Sequence, residues 1–330
     1  MKVIYHSRYM DHQHLGTHPE RPERLEGALS KLDSLSLLED LIYPGEIEKS
    51  ALSLIHSEGY IETLSNLANS YLDGGDTFVA SETYDIAKKA VSGALLSVEE
   101  SLKGNKNVAL LRPPGHHAGV DYGGGFCYLN NIAIGARYAG IDRVAIVDID
   151  AHHGNGTSDI FYRDPGVLYI STHHYGIYPG TGAAVAVGED EGQGYNVNIP
   201  FPAGSGDSSM EFGWKRVIDP ILRQYDPELI LVSLGTDGHY ADAMTGLSLS
   251  SRGYIDICKK LASLADELCG GKISYMLEGG YQIPSLAEIV AGIVSEKKVE
   301  LEFDDTIDNS IRGEGAVSDT ANALGKYWNL

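Results

Sequence analysis

The sequence predicts an α/β fold, a mostly parallel central sheet with helices on both faces. Short β-branched runs alternate with helical patterns from one end of the chain to the other. The strongest runs end in charged or metal-binding residues, which is where open α/β sheets build their sites. Hydrophobic residues make up 43% of the 330 positions, enough for a large core that needs neither disulfides nor a structural metal to hold it.

Strands are expected at Val3-Tyr5, Val108-Leu111, Arg143-Val147, Val167-Ile170, Tyr195-Ile199, Leu229-Leu234 and Ile273-Leu277. Pro22 can open a helix whose apolar face is Leu25, Ala28, Leu29 and Leu32, spaced i, i+3, i+4, i+7. Ala87, Val91, Ala94, Leu95, Val98 and Leu102 repeat the pattern up to a stop at Gly104, and Ile257, Leu261, Leu264 and Leu268 do so up to Gly270-Gly271. Two irregular stretches, Arg8-Arg21 and Thr172-Gly194, are long enough to be functional loops. No repeat or linker divides the chain, so a single catalytic domain over 1–330 is expected. Residues after about 299, polar and acidic with little periodicity, are expected to form an extension that packs loosely or is partly disordered.

Three widely spaced cysteines, Cys127, Cys258 and Cys269, argue against a disulfide framework or a zinc knuckle. The N-terminus has no apolar leader, and no apolar run is long enough to span a bilayer, so a cytoplasmic protein without a membrane partner is expected. A formal net charge of -21 disfavours direct nucleic-acid binding and suits a cationic substrate, although solubility alone also accounts for it. The oligomeric state is not legible.

The run Val144-Ala-Ile-Val-Asp148-Ile-Asp150-Ala-His152-His153-Gly154 puts carboxylates and imidazoles directly after a buried strand. Asp150 and His152 are two residues apart, so persisting strand geometry would send both to one face. Leu229-Leu234 leads into Gly235-Thr236-Asp237, a third donor on the same rim. Asp150, His152 and Asp237 with one open position for water form a catalytic zinc-type donor set, which iron or cobalt would also satisfy. His116 and His117 follow Pro113-Pro114-Gly115, whose backbone cannot be helical, so the two rings can find different partners. Asp148 is placed to accept from one ring and Asn155 from the other; the carboxylate makes its histidine the more basic. Gly123-Gly124-Gly125-Phe126 suits a narrow channel wall, with Tyr178 opposite, and Glu278-Gly279-Gly280-Tyr281 allows a phenol to swing over the metal and donate to an oxyanion.

Taken together, these segments resemble the histone deacetylase family, which includes acetylpolyamine amidohydrolase and acetoin-utilisation relatives. The resemblance runs from about His6 to Val294. It is carried by His18-Pro-Glu-Arg-Pro-Glu-Arg24, Arg112-Pro-Pro-Gly-His-His117, Gly124-Gly-Phe-Cys-Tyr-Leu-Asn-Asn131, Asp148-Ile-Asp-Ala-His-His-Gly-Asn155-Gly-Thr and Glu278-Gly-Gly-Tyr281. It implies an arginase-like three-layer fold, one zinc on Asp150, His152 and Asp237, and catalysis by His116, His117 and Tyr281 supported by Asp148 and Asn155. It also implies that Phe126, Gly125 and Tyr178 grip an acyl-lysine stem, that Asp76 holds the substrate backbone, and that a potassium ion lies near carbonyls around Asp148, Asp150, His152 and Ser171. The implied reaction removes an acetyl or other acyl group from an acetyl-lysine peptide or protein, with His117 as general base and His116 paired to Asp148.

Several positions depart from the common pattern. Asn155 replaces an aspartate, as in the class II-like branch. Thr236-Asp237-Gly238-His239 and Asp242-Ala243 replace Phe-Asp-Ala-His and Asp-Pro, which bears on loop shape and acyl preference. Only a short stretch separates Tyr60-Thr63 from Asp76-Thr77, unlike the long insertion typical of acetylpolyamine deacetylases, the alternative reading. A two-manganese ureohydrolase would need further aspartates where Gly154 and His239 stand. A non-catalytic acyl-binding module would not need every catalytic position filled.

Overall fold

The computed structural model describes residues 1–295, 297–303 and 312–330. Among these residues ten strands occur in chain order: β1 Lys2–Ile4, β2 Leu41–Ile42, β3 Ser70–Tyr71, β4 Phe78–Val79, β5 Asn107–Ala109, β6 Val144–Asp148, β7 Val167–His174, β8 Asn196–Phe201, β9 Leu229–Leu234 and β10 Ile273–Leu277. Eight form one sheet in the order β2-β1-β5-β10-β9-β6-β7-β8, and every pairing is parallel. The helices are α1 Glu23–Ser34, α2 Glu58–Asn66, α3 Thr83–Leu102, α4 Asn131–Tyr138, α5 Asn155–Phe161, α6 Asp207–Gly213, α7 Asp219–Tyr225, α8 Ser251–Cys269, α9 Ile283–Val294 and α10 Glu314–Leu324. One layer contains α3 and α4, which pack on each other and over β5, β6 and β9; the other contains α1, α8 and α9. Both sheet faces are therefore covered, and the strands read as continuous apolar runs, as parallel strands must.

The apolar periodicities fall on the buried faces. Leu25, Ala28 and Leu32 of α1 and Ala87, Val91, Ala94 and Val98 of α3 are almost wholly inaccessible. Helix α8 ends where Gly270 takes a left-handed conformation at φ 65°, which glycine adopts without steric cost. Two local expectations need correction, and three short strands lie outside the expected set. The two-residue edge strand β2 and the hairpin β3–β4 are too short to leave a periodic signal. Strand β7 runs on to His174, because it pairs with β8 as far as Phe201, so the irregular stretch begins after His174 rather than at Thr172. The C-terminal stretch is not uniformly loose either, since α10 packs along β8 with Val317, Thr320 and Leu324 buried, while the remainder of that expectation, at 304–311, lies outside the described residues. No helix among the described residues is long and apolar enough to cross a membrane.

One ionic cluster ties the N-terminal loop to the sheet. Glu20 Oε1 accepts from Arg112 Nε at 2.6 Å and from Arg24 Nη1 at 3.2 Å, and all three side chains are fully buried. Arg24 then donates to the carbonyls of Glu278 at 2.5 Å and Gly280 at 2.6 Å, and Arg112 to that of Tyr9 at 2.7 Å. Burial alone would raise the Glu20 pKa; Arg112, His14 and Arg24 outweigh it and hold the carboxyl well below its ordinary value. A depressed carboxylate stabilises the fold fully above its unfolded pKa of about 4.5, and that contribution is lost as pH falls through the folded value. Glu20→Gln, which leaves two buried guanidinium groups without their anion, is expected to lower stability by about 3–5 kcal/mol at pH 7 in urea unfolding. The wild-type advantage over this variant should shrink below about pH 4.5.

Candidate active site

Four adjacent strands, β5-β10-β9-β6, all point their carboxyl ends to one rim. The segments leaving them carry His116 and His117, Glu278 to Tyr281, Asp237, and Asp148 to Asn155. Parallel neighbours make this convergence unavoidable, because each buried strand delivers its next residues to the same edge.

Asp150, His152 and Asp237 meet there, with one donor atom from each lying within 4.8 Å of the others. His152 Nδ1 is 2.7 Å from Asp237 Oδ2 and 3.3 Å from Asp150 Oδ1. The physical reason differs from the expected strand alternation, since β6 ends at Asp148. Beyond it the His152 N–H donates to Asp150 Oδ1 at 2.8 Å, a side-chain turn that folds the imidazole back toward the carboxylate. Gly279 N–H donates to Asp150 Oδ2 and Ala151 N–H to Asp237 Oδ1, both at 2.8 Å, so backbone donors fix both carboxylates. A Cβ at position 279 would lie 2.6 Å from Asp150 Oδ2 and 2.9 Å from Asp237 Oδ2; only glycine allows this approach.

The electrostatics of this cluster call for positive charge. Burial and the Asp150 carboxylate push Asp237 up to about 6. Burial opposes charge on His152, but Asp237 and Asp150 prevail and push it up to about 10. Two desolvated carboxylates and an imidazole nitrogen aimed at one point are a suitable oxygen and nitrogen donor set for a divalent cation such as zinc. A second trio, His12, His14 and Glu20, also lies within 4.8 Å, but Arg24 and Arg112 already balance its one carboxylate, which makes it a poor cation site.

The two neighbouring histidines take different partners. His116 Nδ1 lies 3.1 Å from Asp148 Oδ2, and His117 Nδ1 lies 2.8 Å from Asn155 Oδ1. Burial works against charge on His116, yet Asp150 and Asp148 raise its pKa to about 10. A cation on Asp150 would take up part of that effect. Burial, then the charges of His116 and His152, hold His117 well below its ordinary value, so it stays a neutral imidazole. Burial raises the Tyr281 pKa well above its ordinary value, keeping the phenol protonated and able to donate.

A narrow cavity of about 80 Å³ leads to these groups, lined by Gly125, Phe126, Tyr178, Met244 and Tyr281 with Asp76 at its mouth. Phe126 meets Tyr281 edge-on with centroids 6.0 Å apart, and Tyr178 meets His117 likewise at 5.0 Å. Gly125 has φ 54°, and a Cβ there would sit 2.5 Å from His117 Cδ2 and 2.8 Å from Tyr178 Cε1. Asp76 Oδ1 is 2.9 Å from Thr77 Oγ1, and burial followed by the neighbouring Asp73 pushes its pKa to about 6. Ser171, expected beside a potassium ion, has its hydroxyl 2.9 Å from His173 Nδ1.

Several supporting residues have no role that local sequence pattern reveals. Tyr169 donates to Asp148 Oδ2 at 2.9 Å, beside the His116 bond. Glu278 Oε2 accepts from Gly115 N–H at 2.7 Å and His116 N–H at 3.2 Å, and burial pushes its pKa to about 7. Asp242, noted only as a departure, accepts from Tyr281 N–H at 2.6 Å and so sets the turn that carries the phenol. Arg24 lies over the Tyr281 ring at 5.0 Å. Their motifs were visible, but their partners lie far along the chain.

Comparison with known proteins identifies the family. The histone deacetylase domain model matches residues 18–297. A probable deacetylase of Archaeoglobus fulgidus is 38% identical over 85% of this chain and 81% of its own length. A probable deacetylase of Methanothermobacter thermautotrophicus is 39% identical, covering 74% of this chain and 76% of its own. The crystal structure of the HDA15 HD domain superimposes with a TM-score of 0.90 at 32% identity, covering 99% of this chain and 96% of that one. With its eight-stranded parallel sheet, its arginase-like fold and a matched domain over most of its length, the chain belongs to the histone deacetylase family and is a hydrolytic deacetylase.

Proposed function

We propose that the chain works as one catalytic unit that removes acetyl groups from acetylated lysine side chains with the help of a single zinc ion held by Asp150, His152 and Asp237. The observation that carries this reading is the convergence of those three donors, two of which, Asp150 and His152, line a narrow cavity walled by Phe126, Tyr178 and Tyr281. A zinc ion held there would supply Lewis acidity for polarising the acyl carbonyl and acidifying water. His117, neutral and held at Nδ1 by Asn155, accepts the proton of the attacking water through Nε2. His116, positive and paired with Asp148, stabilises the developing negative charge and delivers a proton to the leaving amine. Tyr281, a protonated phenol, donates to the oxyanion. Phe126, Gly125 and Tyr178 exclude water along an aliphatic stem, and Asp76 accepts from the substrate's backbone at the mouth.

Lysine peptides are favoured over acetylpolyamines by the short connection before the channel, since α2 ends at Asn66 and the β3–β4 hairpin already brings in Asp76. A net charge of -21 suits a cationic substrate surface and disfavours nucleic acid as a direct partner. The potassium ion implied by the family resemblance is not part of this proposal.

A chelator is expected to abolish acetyl-lysine hydrolysis, with one equivalent of zinc per chain restoring it; activity unaffected by chelation would refute the metal assignment. Tyr281→Phe should retain zinc by elemental analysis but lose about 10²–10³ in kcat. In a panel of acetyl-lysine peptides, longer acyl-lysines and acetylpolyamines, kcat/KM should be highest for a lysine peptide, and a strong preference for acetylpolyamines would overturn the substrate class.

A further inference from the structure

His117 is bonded to an amide rather than a carboxylate, and an amide presents either an acceptor or a donor depending on which way it is turned. In this protein the turn is set from outside. Tyr122 Oη donates to Asp159 Oδ2 at 2.5 Å, and Asn155 Nδ2 donates to Tyr122 Oη at 3.2 Å. A phenol has one proton to give. With that proton committed to a carboxylate, Tyr122 can only accept from Asn155, which must then turn its NH₂ outward and its carbonyl toward His117 Nδ1, 2.8 Å away. Burial and the Asp159 hydrogen bond raise the Tyr122 pKa, so the phenol keeps the proton that sets this polarity.

The parts are placed by local structure. Asn155 and Asp159 stand four residues apart on α5, so their side chains share one face and bracket the phenol between them. Gly119 N–H donates to Tyr122 O at 2.9 Å, and a Cβ at Gly119 would lie 2.3 Å from the Tyr122 ring, so the turn folds the ring back toward the helix only with glycine there.

We propose that Tyr122 and Asp159 are positioning residues which, through Asn155, hold His117 in the tautomer protonated at Nδ1 and so keep Nε2 free to accept a proton. Without them the Asn155 amide can rotate, present its NH₂ to Nδ1 and favour the opposite tautomer, whose Nε2 already carries hydrogen. The inference rests on the reading of His117 as general base, but the tautomer itself is observable without turnover.

The test is a long-range ¹H–¹⁵N correlation spectrum of ¹⁵N-histidine-labelled protein, metal-free and zinc-loaded, with His117→Ala used only to assign the signal. Wild type is expected to show His117 protonated at Nδ1, and Tyr122→Phe and Asp159→Ala to show mixed tautomers. In the same variants kcat should fall about tenfold with KM and thermal midpoint unchanged, the scale set by one lost hydrogen bond. The double variant should be no worse than Tyr122→Phe, because both act through one chain of bonds. A wild-type His117 tautomer in Tyr122→Phe, or additive losses in the double variant, would overturn the proposal. A shifted tautomer with unchanged kcat would instead refute the general-base role and leave the relay standing.

Discussion

Two carboxylates, Asp150 and Asp237, are buried side by side in a site that the sheet closes off from solvent. Desolvated anions this close repel, and they persist only if something positive sits between them. The proton drawn onto His152 meets that demand in part, and a divalent cation held by the three donors would meet it fully. Much of the rim serves this arrangement: two backbone N–H groups aimed at the carboxylates, a glycine where any side chain would collide with both, and a second histidine whose pKa Asp150 and Asp148 raise against its burial.

The polarisation spreads outward in a graded way. His116 is raised because Asp150 and Asp148 outweigh its burial, and His117 is lowered by burial and then by the charges of His116 and His152, against which its amide partner Asn155 pulls only weakly. The rings are only 4.0 Å apart, so one cationic imidazole helps keep the other neutral. Environment thus pushes the basicities of two residues adjacent in the chain in opposite directions, the separation that the proposed acid and base roles require. Glu278 holds the backbone that carries both histidines, while Arg24 holds the carbonyls of the turn that carries Tyr281. Glu20 in turn holds Arg24 and Arg112, so a fully buried ionic cluster supports the tyrosine side of the site.

Legibility in the sequence followed local signal strength. Asp150, His152 and Asp237 were readable because each follows a run of buried β-branched residues, and Tyr281 because paired glycines precede it. The long strands and α1, α3 and α8 were readable from their periodicity, whereas β2 and the β3–β4 hairpin, at two residues per strand, were not. Helix α10 was missed because its apolar face is only Val317, Thr320, Ala321 and Leu324 in a polar stretch. Tyr169, Glu278 and Asp242 stood in view without roles. Nothing local distinguishes a tyrosine that steadies Asp148 from one that fills the core.

The sequence by itself determined the chemistry available. It set the donor types, the order of strands and helices, and the fact that carboxylates and imidazoles would emerge where apolar strands end. This is so because hydrophobic periodicity and turn chemistry act over a few residues. Only the tertiary structure decided which groups face one another. It placed β5, β10, β9 and β6 side by side, so that residues 116, 150, 237 and 281 share one rim. It also assigned Asp148 to His116 and Asn155 to His117, and turned the Asn155 amide by way of Tyr122 and Asp159. Those choices depend on packing between segments distant in the chain, and hydrogen-bond direction is settled only once every donor and acceptor has its neighbour.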